Sequence, residues 1–387
     1  MPIHEVVRPV PGPSAFQDAG DAGVLSQAAL LLAMGQQLRG DDVALRARAA
    51  ATSGAEAGTE ALTAEDLAEF PLPSLRPAEG RVPPEAARSL LVGRYGPMMR
   101  AEAFPGGREG AAFRDVLSDL ADRVYREPTV EAAAGLFEAC LDHPEELTRV
   151  AAAASYFPVT TEPIPVLDVL VRGTYSDDAL TREVAATALA RIAPGHTRLG
   201  ELTVGRTPTG TGPVHTSLMV HGTFARNATW WQPMGNFHAY ILSQVRPDLY
   251  SAPDRFEWSG GYSDAARALG GLDLRAWAAA HGAAGLNLFA HSHGGSVSML
   301  ATQGGLDVGQ LVLLSVPVHV HKYMPDFSRV ADAVSIRVRL DLVILADGGG
   351  QRFSHPKIRE NVLPLWFDHG AAHDPGVWQA HNVPGLL

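Results

Sequence analysis

Residues 285–297 read Gly285-Leu286-Asn287-Leu288-Phe289-Ala290-His291-Ser292-His293-Gly294-Gly295-Ser296-Val297. Leu286 to Phe289 has the look of a short buried strand. A sharp turn follows, and then a helix that starts with small residues. A serine at such a turn is forced into a sparsely populated backbone region, and bulk two positions before or after it would collide across the turn. Here those positions are Ala290 and Gly294, which makes the pattern A-x-S-x-G. The backbone N–H of His293 then belongs to the helix N-terminus, where developing negative charge is stabilised.

Outward from this stretch the chain alternates strand and helix. Strands are expected at 216–220, 255–259, 286–289, 311–316, 336–345 and 362–367, with helices at 236–244, 263–281, 295–303, 328–333 and 375–381. Continuous apolar runs such as Leu311-Val312-Leu313-Leu314 belong in a sheet covered on both faces. The expectation is an α/β domain over 214–387 with a doubly wound, mostly parallel sheet. Residues 196–213, rich in Thr, Gly and Pro, read as a linker.

The first half differs. Residues 1–20 are Pro- and Gly-rich and read as an irregular segment, and 21–195 as an all-α domain. Helices are expected at 21–50, 63–70, 85–94, 113–125, 130–143, 144–156, 165–172 and 178–192. Arg149-Val150-Ala151-Ala152-Ala153-Ala154 and Glu183-Val184-Ala185-Ala186-Thr187-Ala188 align at an offset of 34 (184 minus 150). Small residues where helices cross, with leucines one turn away, resemble HEAT-type helical pairs.

Composition bounds the function. Of 387 residues, 46% are hydrophobic, and the net charge of −11 argues against non-specific binding to nucleic acid or to an anionic membrane. The single cysteine, Cys140, excludes an intramolecular disulfide and reads as a buried apolar residue. Met1-Pro2-Ile3-His4-Glu5 carries no basic region of a secretory signal, and the apolar run from Ala28 to Met34 is too short to span a bilayer. A cytoplasmic protein is expected. The histidine pairs His291/His293, His319/His321 and His369/His373 come without H-E-x-x-H or a cysteine pair, so no metal is expected, and no phosphate-binding loop appears.

The elbow from Phe289 to Gly295, together with Val220-His221-Gly222-Thr223 upstream, resembles the serine esterase and lipase group of the α/β-hydrolase superfamily, including members related to inositol-deacylating lipases. Ala290 in place of glycine is the departure. The resemblance covers about 214–387 and implies Ser292 as nucleophile. It further implies an oxyanion hole from the N–H groups of His293 and of Thr223 or Phe224, with His221 structural.

The superfamily places an acid after a late strand. Asp347 ends an apolar run and opens into Gly348-Gly349-Gly350, so it is the expected acid; Asp341 lies before the most apolar part and Asp326 follows the preceding strand. For the base, His369 stands just beyond the last strand, while His373 adjoins Asp374-Pro375, which reads as the cap of the closing helix. His369 is expected and His373 is the alternative. Trp230, Trp231 and Trp258, with His221, are expected to line a substrate pocket, since adjacent tryptophans cannot both face one core.

The implied activity is cleavage of a small-molecule or lipid carboxylic ester through an acyl-enzyme, with no cofactor. Acyl transfer or thioester or amide hydrolysis on the same fold is one alternative. Another is a non-catalytic helical-repeat scaffold fused to a hydrolase-like module, and the helical half could recruit a protein partner in either case.

Overall fold

In the computed structural model the described residues are 7–40, 64–77, 80–87, 108–160, 164–203, 217–283 and 285–387. They divide into two compact units, one of residues 7–193 with 345–349, the other of 194–344 with 350–387.

In the first unit the regular elements are helical: α1 (Asp21–Arg39), α2 (Ala64–Glu69), α3 (Arg108–Arg126), α4 (Val130–Cys140), α5 (Glu146–Tyr156), α6 (Ile164–Gly173) and α7 (Ala179–Ile192). One isolated bridge joins Val82 to Thr160. α1 stops earlier than the expected 21–50, because Gly40 takes up φ 71° and caps it with a left-handed residue. Residues 41–50 lie outside the described residues, as do most of the expected helix 85–94 and the segment 51–63. The Ala151–Ala154 run of α5 is completely buried, so small side chains let neighbouring helices approach. Cys140 is a buried free thiol, and burial pushes its pKa up.

One arginine contact recurs in α5 and α7, at a spacing other than that of the alanine runs. Arg149 Nη1 donates to the carbonyls of His143 (2.5 Å) and Pro144 (2.6 Å). Arg182 Nη1 does the same to Ser176 (2.6 Å) and Asp177 (2.7 Å). The offset is therefore 33 (182 minus 149, and 176 minus 143), one less than the alanine runs suggest. Each arginine stands in the first turn of its helix, in Leu147-Thr148-Arg149 and Leu180-Thr181-Arg182, and reaches back to the turn before it.

The second unit opens with α8 (Thr197–Thr203), a short helix inside the stretch expected to be linker; 204–216 are outside the described residues. Its sheet has five strands in the order β1 (Ser217–Val220), β2 (Leu286–His291), β3 (Val308–Leu314), β4 (Val330–Arg339) and β5 (Arg359–Trp366), and every pairing is parallel. Period-2 alternation sends side chains into two separate cores. Leu218, Val220, Leu288, Ala290, Leu311 and Leu313 pack with α10 (Asp264–Ala280) and α11 (His293–Gln303). Met219, Phe289, Val312, Leu314, Val334 and Ile336 pack with α9 (Asn236–Gln244) and the closing helix. Both faces are thus covered, as the apolar runs predict.

Three expected elements differ. Residues 255–259 form no strand; instead Leu249 makes an isolated parallel bridge to Ser217 of β1. Residues 328–333, expected as helix, include the start of β4. The expected strand 336–345 ends at Arg339, and Leu342–Asp347 form α12. The break is local: Leu340 adopts φ 48°, and the Asp341 carboxylate accepts the N–H groups of Val343 (2.9 Å) and Ile344 (3.2 Å). An apolar run serves equally as strand or buried helix, so the cap decides.

Candidate active site

Because all five strands are parallel, their C-terminal ends share one edge of the sheet, and each hands the chain to a turn there. All five of these turns hold a non-glycine residue at positive φ: Phe224 (58°) after β1, Ser292 (51°) after β2, Ser315 (45°) after β3, Leu340 (48°) after β4 and Phe367 (71°) after β5. Each costs on the order of 1–3 kcal/mol, and such strain persists only where the surrounding packing over-determines it.

Ser292 is the N-cap of α11, at φ 51° and ψ −134°. Its N–H extends the ladder to Leu314 O at 2.9 Å, and only 6% of the residue is exposed. The small neighbours have steric reasons. A Cβ on Gly294 would lie 2.5 Å from Val220 O and 2.6 Å from His221 O, and one on Gly222 would lie 2.8 Å from Ser292 Cβ. The turn after β1 and the elbow are therefore in backbone contact, and only glycine fits at either position.

The carboxylate on His369 is that of Asp341, the residue passed over in favour of Asp347. His369 Nδ1 donates to Asp341 Oδ2 at 2.7 Å, with both side chains buried. Asp347, the expected acid, closes α12. Reading 336–345 as one strand put Asp341 toward its wrong end; the early end of β4, at Arg339, puts it at the sheet edge. The signal that could have found it was an aspartate ahead of an apolar run, the position of an N-cap. Its Oδ1 holds α12 while Oδ2 holds the imidazole, which fixes the ring with its proton on Nδ1.

His373, the alternative base, stacks flat on Trp230 (centroids 4.1 Å apart, planes 10°) and meets His291 edge-on at 4.5 Å. Desolvation, with His369 beside it, lowers its pKa to about 3. The His291 ring lies 4.6 Å from that of His369 and 5.3 Å from Trp230. Burial first, then the neighbouring histidines, depress its pKa well below the ordinary value. Both of its nitrogens are buried without a hydrogen-bond partner.

Of the expected pocket residues, three are core. Trp231 (1% exposed) and Trp258 (2%) pack on either side of His221 at 4.7 and 5.7 Å. Trp258 Nε1 donates to His221 O at 2.8 Å. Burial holds His221 neutral, with its pKa lowered to about 4. It braces the turn after β1. Trp230 alone of the four turns toward the histidines.

The oxyanion candidates separate. The N–H of Phe224 donates to Gly260 O at 2.9 Å and has no capacity left for a substrate oxygen. Thr223 remains, and its Oγ1 is buried with no partner. His293 occupies the first helical position of α11, whose N–H groups have no acceptor within the helix. Its ring is turned aside: Nε2 accepts from Arg267 Nη2 at 2.9 Å, and Nδ1 faces Ser296 Oγ at 3.3 Å. Arg267 is itself tied to Asp264 and to the Tyr323 hydroxyl.

Among the described residues no group of three or more His, Cys, Asp or Glu could hold a metal ion, and no helix is long and apolar enough to cross a membrane. Comparison with protein-family models, curated proteins and solved structures finds no match to this chain.

Proposed function

We propose that the sheet-bearing unit is a serine hydrolase of the α/β-hydrolase kind that cleaves a carboxylic ester. The observation that carries this reading is the buried Asp341–His369 hydrogen bond on the same sheet edge as the strained Ser292 turn. A buried carboxylate that fixes an imidazole tautomer is what a serine needs to become a nucleophile.

In the proposed reaction, Ser292 Oγ attacks the ester carbonyl as His369 Nε2 takes its proton. Asp341 stays ionised and stabilises the imidazolium. The N–H groups of His293 and Thr223 hold the tetrahedral oxyanion. The intermediate collapses to an acyl-Ser292, and His369 returns the proton to the leaving alcohol. Water, deprotonated by His369, then releases the acid and regenerates Ser292. Trp230, stacked on His373, offers an apolar wall that suits an ester with an apolar portion. The helical unit, with its 33-residue spacing, is read as HEAT-like pairs that present a surface to a protein partner.

The test is labelling with a fluorophosphonate probe. Wild type should label, Ser292→Ala should not, His369→Ala should lose at least about a thousandfold in rate, and His373→Ala should stay within about tenfold. A folded wild type that does not label, or labelling that survives in Ser292→Ala, would overturn the reading.

A further inference from the structure

Beyond the end of β4 the chain leaves the sheet, so the peptide groups of Asp341 lose the ladder partners that strand residues have. They are satisfied by one side chain. Asp341 N–H donates to Gln351 Oε1 at 2.9 Å, and Gln351 Nε2 donates back to Asp341 O at 3.2 Å. The amide of Gln351 thus takes the place of a neighbouring strand, and it is 2% exposed. Its own backbone is held in turn. Gly350 and Val318 exchange both N–H···O bonds, at 3.0 and 2.9 Å. Arg337, 1% exposed, donates to Gln351 O and to Val316 O (3.3 Å), is paired with Glu360, and lies over the Phe353 ring.

From this chain of contacts we infer that Gln351 is a positioning residue of the acid, a two-point amide clamp that fixes Asp341, and through it His369, from behind. The inference rests on the proposed triad. The geometry favours a positioning role over simple loop anchoring. The loop is already pinned by Gly350 and by Arg337, whereas the Gln351 side chain is spent on the residue that orients the base. A buried amide that both donates and accepts can be replaced in shape by methionine, but not in hydrogen bonding.

The test joins kinetics to two signatures that loop anchoring alone would not move. In wild type, the proton shared by His369 Nδ1 and Asp341 should appear as a far-downfield resonance, and the Asp341 amide should be protected from hydrogen exchange. Gln351→Met should slow fluorophosphonate labelling about 10- to 100-fold and broaden or shift the downfield proton, with an unchanged melting profile. Gln351→Glu keeps the shape and the acceptor but loses the donor, and it should behave alike; it serves where the methionine variant does not fold. A folded variant with wild-type rate and an undisturbed downfield proton would overturn the inference. So would a freely exchanging Asp341 amide in wild type, which needs no variant. If wild type fails to label yet shows a downfield proton that Gln351→Met disturbs, the clamp stands and the hydrolase reading falls.

Discussion

Asp341→Asn separates the acid found at His369 from the one the sequence suggested. The carboxylate does two jobs with two oxygens: Oδ1 accepts from Val343 and Ile344, and Oδ2 accepts from His369. Asparagine has one acceptor oxygen. If that oxygen stays on the helix cap, the amide NH2 faces Nδ1 and can only donate. Nδ1 must then accept, the ring proton moves to Nε2, and the base is blocked. The flipped amide would point its NH2 at two backbone N–H groups and leave them unsatisfied, at about 1–3 kcal/mol each. The capped, wrong-tautomer orientation therefore wins. Wrong-tautomer triads lose about 10⁴-fold in turnover, equivalent to about 5.5 kcal/mol of barrier at about 1.4 kcal/mol per tenfold. The assay is the second-order rate of fluorophosphonate labelling, beside ester turnover, with thermal melting to show that the cap and fold survive. Asp347→Asn should stay within about twofold of wild type. Near-wild-type rates for Asp341→Asn, or a collapse in Asp347→Asn instead, would refute the assignment.

Ser292→Gly should abolish labelling yet raise the melting temperature by about 2–4 °C, since glycine relieves on the order of 1 kcal/mol of strain at φ 51°; a lower melting temperature would mean the turn is not strained. His221 is held neutral in the folded protein, with its pKa lowered to about 4 by burial. Below its unfolded value of about 6.5 the unfolded chain binds the proton and the folded one does not. Stability is thus full above about pH 6.5 and falls by about 1.4 kcal/mol per pH unit down to about pH 4. Urea midpoints at pH 7.5 and 5 should show this loss, and His221→Phe should make it shallower; an equal loss in the variant would place the acid lability elsewhere.

How much was legible follows from where each signal resides. The parallel strands β1, β2, β3 and β5 and helices α9, α10 and α11 were readable because each carries its own periodicity and punctuation. The elbow was readable because a strand, a serine between small residues and a helix start follow one another within 286–295, although the backbone that forces Gly294 to be glycine belongs to the distant turn after β1. Failures gathered at 328–347. There the apolar pattern of β4 continues past Asp341 into Leu342-Val343-Ile344-Leu345-Ala346, and the strand-to-helix change turns on one left-handed Leu340 and one capping carboxylate. Trp231 and Trp258 also looked like pocket residues, because a side chain's identity does not say which face of the fold it meets.

By itself, then, the sequence determined that a serine stands on a strand–turn–helix corner within an α/β arrangement, preceded by helices. These follow from local backbone sterics and side-chain periodicity. Tertiary structure alone decided that Asp341 accepts from His369, that Phe224 has spent its N–H on Gly260, and that the Gln351 amide pairs with the Asp341 backbone. Each is a hydrogen bond between residues distant along the chain or across a turn. Its partner is chosen by where strands end at the shared sheet edge, and local sequence carries no record of that.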